Sequence, residues 1–141
     1  MMFLTTPVNY LAVLISAVVS MVVGFIWYHP LVFGKKWLKY IHMTEKETKE
    51  MNMGSSYLIM FVSSLVTAYV MAHFLLYSNA QTALDGAKTA FWLWLGFVAT
   101  TGLGDVLFGG KLKKPWGMYL IQMSHYLVNF AILGGILTVW R

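Results

Sequence analysis

The sequence predicts an all-α integral membrane protein with four transmembrane helices, organised as one domain over residues 1–141. Two observations carry this expectation. The chain is 59% hydrophobic and only 11% charged, against roughly 25% charged in an ordinary soluble domain. A single soluble domain of 141 residues cannot hide that much apolar surface, since much of its area stays exposed. The apolar residues also gather into four runs, each long enough to cross the roughly 30 Å of hydrocarbon that about 20 helical residues span.

Each run is legible in turn. Residues 8–28 hold no charged side chain, and residues 57–77 hold only His73. Residues 89–110 are interrupted by Asp105 alone, and residues 116–140 by His125 alone. The expected spans are about 8–29, 56–77, 88–109 and 116–140. Helices are what such runs become, because backbone polar groups in hydrocarbon must be satisfied within their own segment. The opening "MMFLTTP" carries no Lys or Arg. A cleavable leader wants a positive start and a shorter apolar core, so the first run reads as a retained span.

The connections set the orientation. Lys35, Lys36, Lys39, Lys46 and Lys49 fall in the first loop, and Lys111, Lys113 and Lys114 in the third. The other side has only Lys88 and Arg141. The positive-inside rule then places both loops in the cytoplasm and both termini outside it, in the cell (plasma or inner) membrane. The net charge of +5 suits an anionic membrane face, and its clustering between apolar runs argues against nucleic acid. In the first loop Trp37, Tyr40 and Ile41 alternate with lysines, as in an interfacial segment. Then "TEKETKEM" has Thr44 and Glu47 at capping-box spacing and Glu45 with Lys49 at i,i+4, which predicts a short cytoplasmic helix. Trp27, Tyr28, His29, Lys35, Lys36, Trp37, Lys111, Lys113 and Lys114 are the expected interfacial anchors. Pro30 pushes His29 out of the helical region and should end or kink the first helix there.

Two stretches recur. "LVFGKK" at 31–36 matches "VLFGGK" at 106–111, and "YLIMFVSSLVTAY" from Tyr57 matches "YLIQMSHYLVNFA" from Tyr119. This suggests a parallel tandem repeat of a two-helix hairpin. What recurs is an aromatic, a helix-ending glycine and a lysine, while His29 corresponds to Gly104.

The pattern "NYLAVL…VGFIWYHPLVFGKKW" followed by "MTEKE" resembles a family of small bacterial and archaeal membrane proteins catalogued as domain of unknown function 1761. Asn9, Gly24, Trp27, Tyr28, Pro30, Phe33, Gly34 and Trp37 carry the resemblance, which covers nearly the whole chain. It implies four spans and supplies no site residues.

The polar residues inside the spans are few. Ala12, Ser16, Ser20 and Gly24 form one ladder at four-residue spacing, and Gly96, Thr100 and Gly104 a second. Both are expected to face protein, as small-xxx-small rows do at helix contacts in lipid. Gln122, His125 and Asn129 fall within an arc of about 60° at roughly 100° per residue. Ser63 and Thr67 share a face of the second span, and Asp105 lies near the end of the third. Together these make a candidate polar seam. It reads either as a proton or cation relay with His125 as the titrating group, or as an interhelical hydrogen-bond network.

"MAH" at 71–73 and "MSH" at 123–125 raise copper chemistry. His29, His73 and His125 should lie at three different depths, however, so neither a metal nor another cofactor is expected. There is no cysteine, hence no disulfide or thiol chemistry. Nucleotide loops, nucleophile elbows and paired carboxylates are missing from the sequence, and "GLGDVLFGG" fails the dinucleotide pattern. The chain is therefore expected not to be an enzyme. Two functions stay open. One is transport or channelling of a small solute, proton or ion through the seam of a homo-oligomeric bundle. The other is a non-transporting scaffold or accessory subunit that binds a protein partner or anionic lipid at its lysine-rich face.

Overall fold

A computed structural model describes residues 7–112 and 114–141. Helix α1 (Tyr10–Trp27) is followed by a π-helical turn (Pro30–Gly34), then by the short helices α2 (Lys35–Tyr40) and α3 (Glu45–Glu50). Helix α4 (Gly54–Tyr77) leads to α5 (Ala83–Leu93), a π-helical segment (Trp94–Ala99) and α6 (Thr100–Leu107), which run on as one rod. A 3₁₀ turn (Gly110–Leu112) precedes α7 (Trp116–Val139). No strand occurs among the described residues. Among the described residues four helices are long and apolar enough to cross a membrane: α1, α4, the α5–α6 rod and α7.

Helix α1 starts because the Asn9 carboxamide accepts from the backbone N–H groups of Leu11 (3.0 Å) and Ala12 (3.1 Å), which are otherwise orphaned at a helix start. It stops at Trp27, since Pro30 forces His29 into extended geometry. His29 Nδ1 then accepts from the Leu31 N–H at 3.3 Å and caps the π turn. Gly34 does not end a helix, contrary to expectation: it is helical itself and runs straight into α2. Its hydrogen is required for a different reason. A Cβ there would collide with the carbonyls of Tyr28 and His29. The turn folds the first connection back under the bundle. Trp27 meets Phe33 at 4.9 Å, Tyr28 meets Trp37 edge-on at 5.0 Å, and the Tyr40 hydroxyl lies against Gly117 at the start of α7.

Helix α3 forms with the expected capping box. The Glu47 N–H donates to Thr44 Oγ1 at 3.2 Å, and the Thr44 N–H donates to Glu47 Oε2 at 2.7 Å. The i,i+4 ion pair on this helix is Lys46–Glu50 at 4.0 Å, one position on from Glu45–Lys49. A second capping box, Thr82 with Asp85, starts α5. Its signal was present in "TALD".

Helix α7 is the centre of the bundle: it touches α1, α4 and the α5–α6 rod, while α1 also pairs closely with α4. It carries two buried faces. Leu133 and Leu137 join Ala12, Val13, Ala68, Met71 and Leu75 in the core shared with α1 and α4. Gly134 and Thr138 face α5. There the backbones nearly touch: a Cβ on Gly86 would collide with the Gly134 carbonyl and the Thr138 hydroxyl, and one on Gly134 would lie 2.5 Å from the Gly86 carbonyl oxygen and 2.8 Å from Ala90 Cβ. This is a small-xxx-small contact of the kind that lets helices approach closely.

The two ladders expected to face protein behave differently. Ala12, Ser16 and Ser20 are buried, and Gly24 faces His125. Gly96, Thr100 and Gly104 are exposed, and nothing lies within 4 Å of a Cβ added to either glycine. The Thr100 hydroxyl donates to the Gly96 carbonyl of its own helix at 2.8 Å. The rod's contact face runs instead through Gly86, Ala90, Trp94, Ala99, Gly102 and Val106. The five-residue step from Trp94 to Ala99 is the π segment, which re-phases the face. Trp94 Nε1–H donates to the Met123 carbonyl at 3.0 Å, and Tyr119 O–H to the Ala99 carbonyl at 2.7 Å, tying the segment to α7.

Two outcomes follow. Gly134→Val should destabilise the bundle by about 1–3 kcal/mol through overpacking. Gly135→Ala, whose added Cβ would sit 3.7 Å from its nearest neighbour, should be neutral or slightly stabilising. Thermal unfolding of the two variants in detergent compares them. For α3, the Thr44 hydroxyl and N–H hold the Glu47 carboxylate below its ordinary range. A depressed folded value means the box contributes at neutral pH and is lost as pH falls through that value. Amide exchange over residues 45–50 should therefore speed up relative to α7 on acidification, and Thr44→Ala should abolish the pH dependence.

Candidate functional site

The interior holds one continuous line of polar side chains, built from one face each of α7, α1 and α4. Asn129 Nδ2–H donates to Ser20 Oγ at 3.0 Å. Ser20 Oγ lies 3.3 Å from Ser64 Oγ, and Ser64 donates to the Met60 carbonyl at 2.9 Å. A hydroxyl has a single proton. Ser64 uses its own on Met60, so Ser20 donates to Ser64, and the chain runs in one direction from Asn129 through Ser20 and Ser64 to Met60.

One turn from Asn129, His125 is buried on α7. Its ring lies 5.3 Å from Tyr28, 5.2 Å from Tyr126 and 6.1 Å from Trp27. The fourth side is Gly24, where an added Cβ would sit 3.7 Å from Nε2. Neither ring nitrogen of His125 has a hydrogen-bond partner among the described residues. The same holds for Asn129 Oδ1 and for Ser16 Oγ, one turn from Ser20 on α1. Buried polar atoms are nearly always hydrogen-bonded, and each one left without a partner costs about 1–3 kcal/mol. This cluster contains four.

The expected seam is divided. Asp105 and Gln122 lie apart from His125, along an open groove of about 290 Å³ between α6 and α7. Lys114 Nζ donates to Asp105 Oδ2 at 2.6 Å, and the Lys114 N–H to the Asp105 carbonyl at 3.2 Å. On α4 the expected Ser63 is exposed, and Thr67 is half-buried with its hydroxyl donating to the Ser63 carbonyl at 3.0 Å. Their place in the interior line is taken by Ser64. Neighbouring helical residues differ by about 100°, so the polar identity of "SS" at 63–64 could not choose between them.

The expected anchors also separate. Lys35, Lys36, Lys111 and His29 are exposed, Lys114 is paired with Asp105, and Lys113 lies outside the described residues. Trp27, Tyr28 and Trp37 are half-buried and structural. Trp27 Nε1–H donates to the Ile121 carbonyl of α7 at 3.1 Å, placing its indole as a wall beside His125. On α4, His73 Nδ1 donates to the Tyr69 carbonyl at 2.9 Å, with the two rings 4.6 Å apart. Among the described residues no three of His, Cys, Asp and Glu gather in a metal-holding group. Trp94 and Tyr126 carry no signal of their own in the sequence, and Tyr119 marks there only the start of a repeated stretch. Their phenols and indole look like any other aromatic in an apolar run.

No curated protein and no solved structure matches the chain. One family does match, and its model runs from residue 11 to residue 138, from the first turn of α1 to the last of α7. The chain belongs to that family, described as a protein of unknown function (DUF1761).

Proposed function

We propose that the chain is a multi-pass protein of the cell (inner) membrane that moves a proton or a small polar solute along the His125–Asn129–Ser20–Ser64 line. The observation that carries this reading is the set of buried polar atoms without partners on His125, Asn129 and Ser16. A network made only for packing satisfies its members, since a half-satisfied one is worse than an apolar core. In hydrocarbon the penalty is larger still. An occupant with hydrogen-bonding capacity resolves it, and an imidazole, which offers one donor and one acceptor nitrogen, suits a proton or a polar solute. Toward the start of α1 the line meets apolar core at Ala12 and Met71, which closes the path at that end in this conformation.

The rest of the reading follows from the four long apolar helices and the lysine distribution. The lysine-rich loops face the cytoplasm and the termini the other side. The α1–α4 and rod–α7 hairpins are tandem copies, supported by each being a close pair. The protein is a homo-oligomer rather than an enzyme, and its exposed Gly96–Thr100–Gly104 row is free to meet a neighbouring subunit.

A second reading is favoured by the Asn129–Ser20–Ser64 chain, which joins three helices. It makes the protein a non-transporting scaffold whose partner lies at the lysine-rich face.

The cysteine-free chain separates the two. Cysteines placed at 125, 129 and 64 should label with polar thiol reagents, and one at Met71 should not; silence at all of them would sink the transport reading. His125→Ala in proteoliposomes should bring pH-dependent flux to background while the bundle stays folded. Asn129→Ala should cost only about 0.6 kcal/mol of stability, typical of an interhelical hydrogen bond in a bilayer, yet lower flux.

A further inference from the structure

The α6–α7 groove is not part of the interior line, and its lining is graded. At its lysine-rich end stand Asp105 and Lys114, and farther along come Gln122, then Val98 and Tyr126. Asp105 to Val98 is seven residues along the rod, about 10 Å at 1.5 Å per residue, and Tyr119 to Tyr126 is the same along α7. Charge at one end thus gives way to uncharged surface over roughly the depth of a lipid's glycerol and first methylenes.

The charged end is fixed rather than incidental. Lys114 is held to Asp105 twice, through its ammonium and through its backbone N–H. Exposed ion pairs contribute little to stability, and here 60% of the Asp105 side chain and 34% of the Lys114 side chain stay open. An ammonium has three donors and a carboxylate about four acceptor sites. After their mutual bond, the pair still presents N–H donors and a free carboxylate oxygen side by side. That arrangement complements a ligand with an oxyanion and a primary ammonium on a short linker. The rod and α7 also expose Phe97 and Leu120, which suits an amphiphile better than a free solute.

We infer that this groove binds the phosphoethanolamine headgroup of a membrane phospholipid, with its phosphate on Lys114 and its ammonium on Asp105. The inference rests on the membrane reading but not on transport. A choline headgroup has no N–H to give Asp105, and a glycerol headgroup has no cation, so the site discriminates by the primary ammonium.

Native mass spectrometry of the detergent-solubilised protein, given equal amounts of phosphatidylethanolamine, phosphatidylcholine and phosphatidylglycerol, tests it. One phosphatidylethanolamine should be retained about tenfold over phosphatidylcholine, the size of one charge-assisted hydrogen bond. Asp105→Asn should narrow the preference, since the amide oxygen accepts without the charge, and Lys114→Gln should weaken both. Both residues are solvent-accessible, and circular dichroism checks that the variants stay helical. The wild-type lipid comparison needs no variant. Equal retention of the three lipids, or a preference undiminished by Asp105→Asn, overturns the assignment. So does equally tight binding of water-soluble glycerophosphoethanolamine, which would make the ligand a free zwitterion. A protein that stays in solution without detergent would instead overturn the membrane reading itself.

Discussion

The contact between Gly86 and Gly134 governs the arrangement of this bundle. Two helices can approach until their backbones nearly touch only where neither carries a Cβ. That contact holds the α5–α6 rod against one face of α7 and leaves the neighbouring face of α7 free for α1 and α4. Trp94 and Tyr119 continue the attachment by binding backbone carbonyls across the same interface. They do so at the π segment, where the helix takes an extra residue and its face is re-phased. Without the five-residue step, the face that begins at Gly86 would drift off α7 before reaching Gly102 and Val106.

The two faces of α7 have different chemistry. The face toward the rod is small around Gly134 and Thr138 and carries the larger Met123 and Tyr119 toward the start of α7. The face toward α1 and α4 carries His125 and Asn129 in register with Ser20 and Ser64. The small residues of α1 serve two ends there: Ala12 and Ser16 let the helices close, while Ser20 accepts from Asn129 and donates its hydroxyl hydrogen bond to Ser64. Gly24 leaves open the side of His125 that a larger residue would cover. Trp27, Tyr28 and Tyr126 supply the remaining walls, so the imidazole sits among rings and a glycine rather than among hydrogen-bond partners. The proposed polar occupant rests on this arrangement.

The first connection is a built part of the fold rather than a loose loop. Pro30 ends the first helix, His29 caps the turn after it, and Gly34 permits the chain to pass close to the carbonyls it has just left. The result brings Trp37 onto Tyr28 and Tyr40 onto Gly117, so the lysines of α2 lie beneath the bundle at the same end as Lys111 and Lys114. The stretch "GFIWYHPLVFGKKW" is thus a folding device, and His29 in it is a cap.

The sequence by itself determined the helices. Runs of apolar residues long enough for a bilayer, broken by short charged connections, leave the backbone little alternative, and Asn9, Thr44 and Pro30 mark helix ends through local geometry that needs no neighbour. Family membership was legible for the same reason, since its carrying residues build the first helix and the turn that follows. Tertiary structure alone decided which side chains meet. Ser63 and Ser64 are equally polar but point about 100° apart, and only the position of α1 selects Ser64. The Gly96–Thr100–Gly104 row has the spacing of a contact face, yet the π segment turns a different face toward α7. Asp105 and His125 are both polar residues within apolar runs, yet one lies in an outer groove and the other in the core. Helix periodicity fixes relative angles along one rod; the absolute angle comes from the neighbour it packs against, and no single segment encodes that.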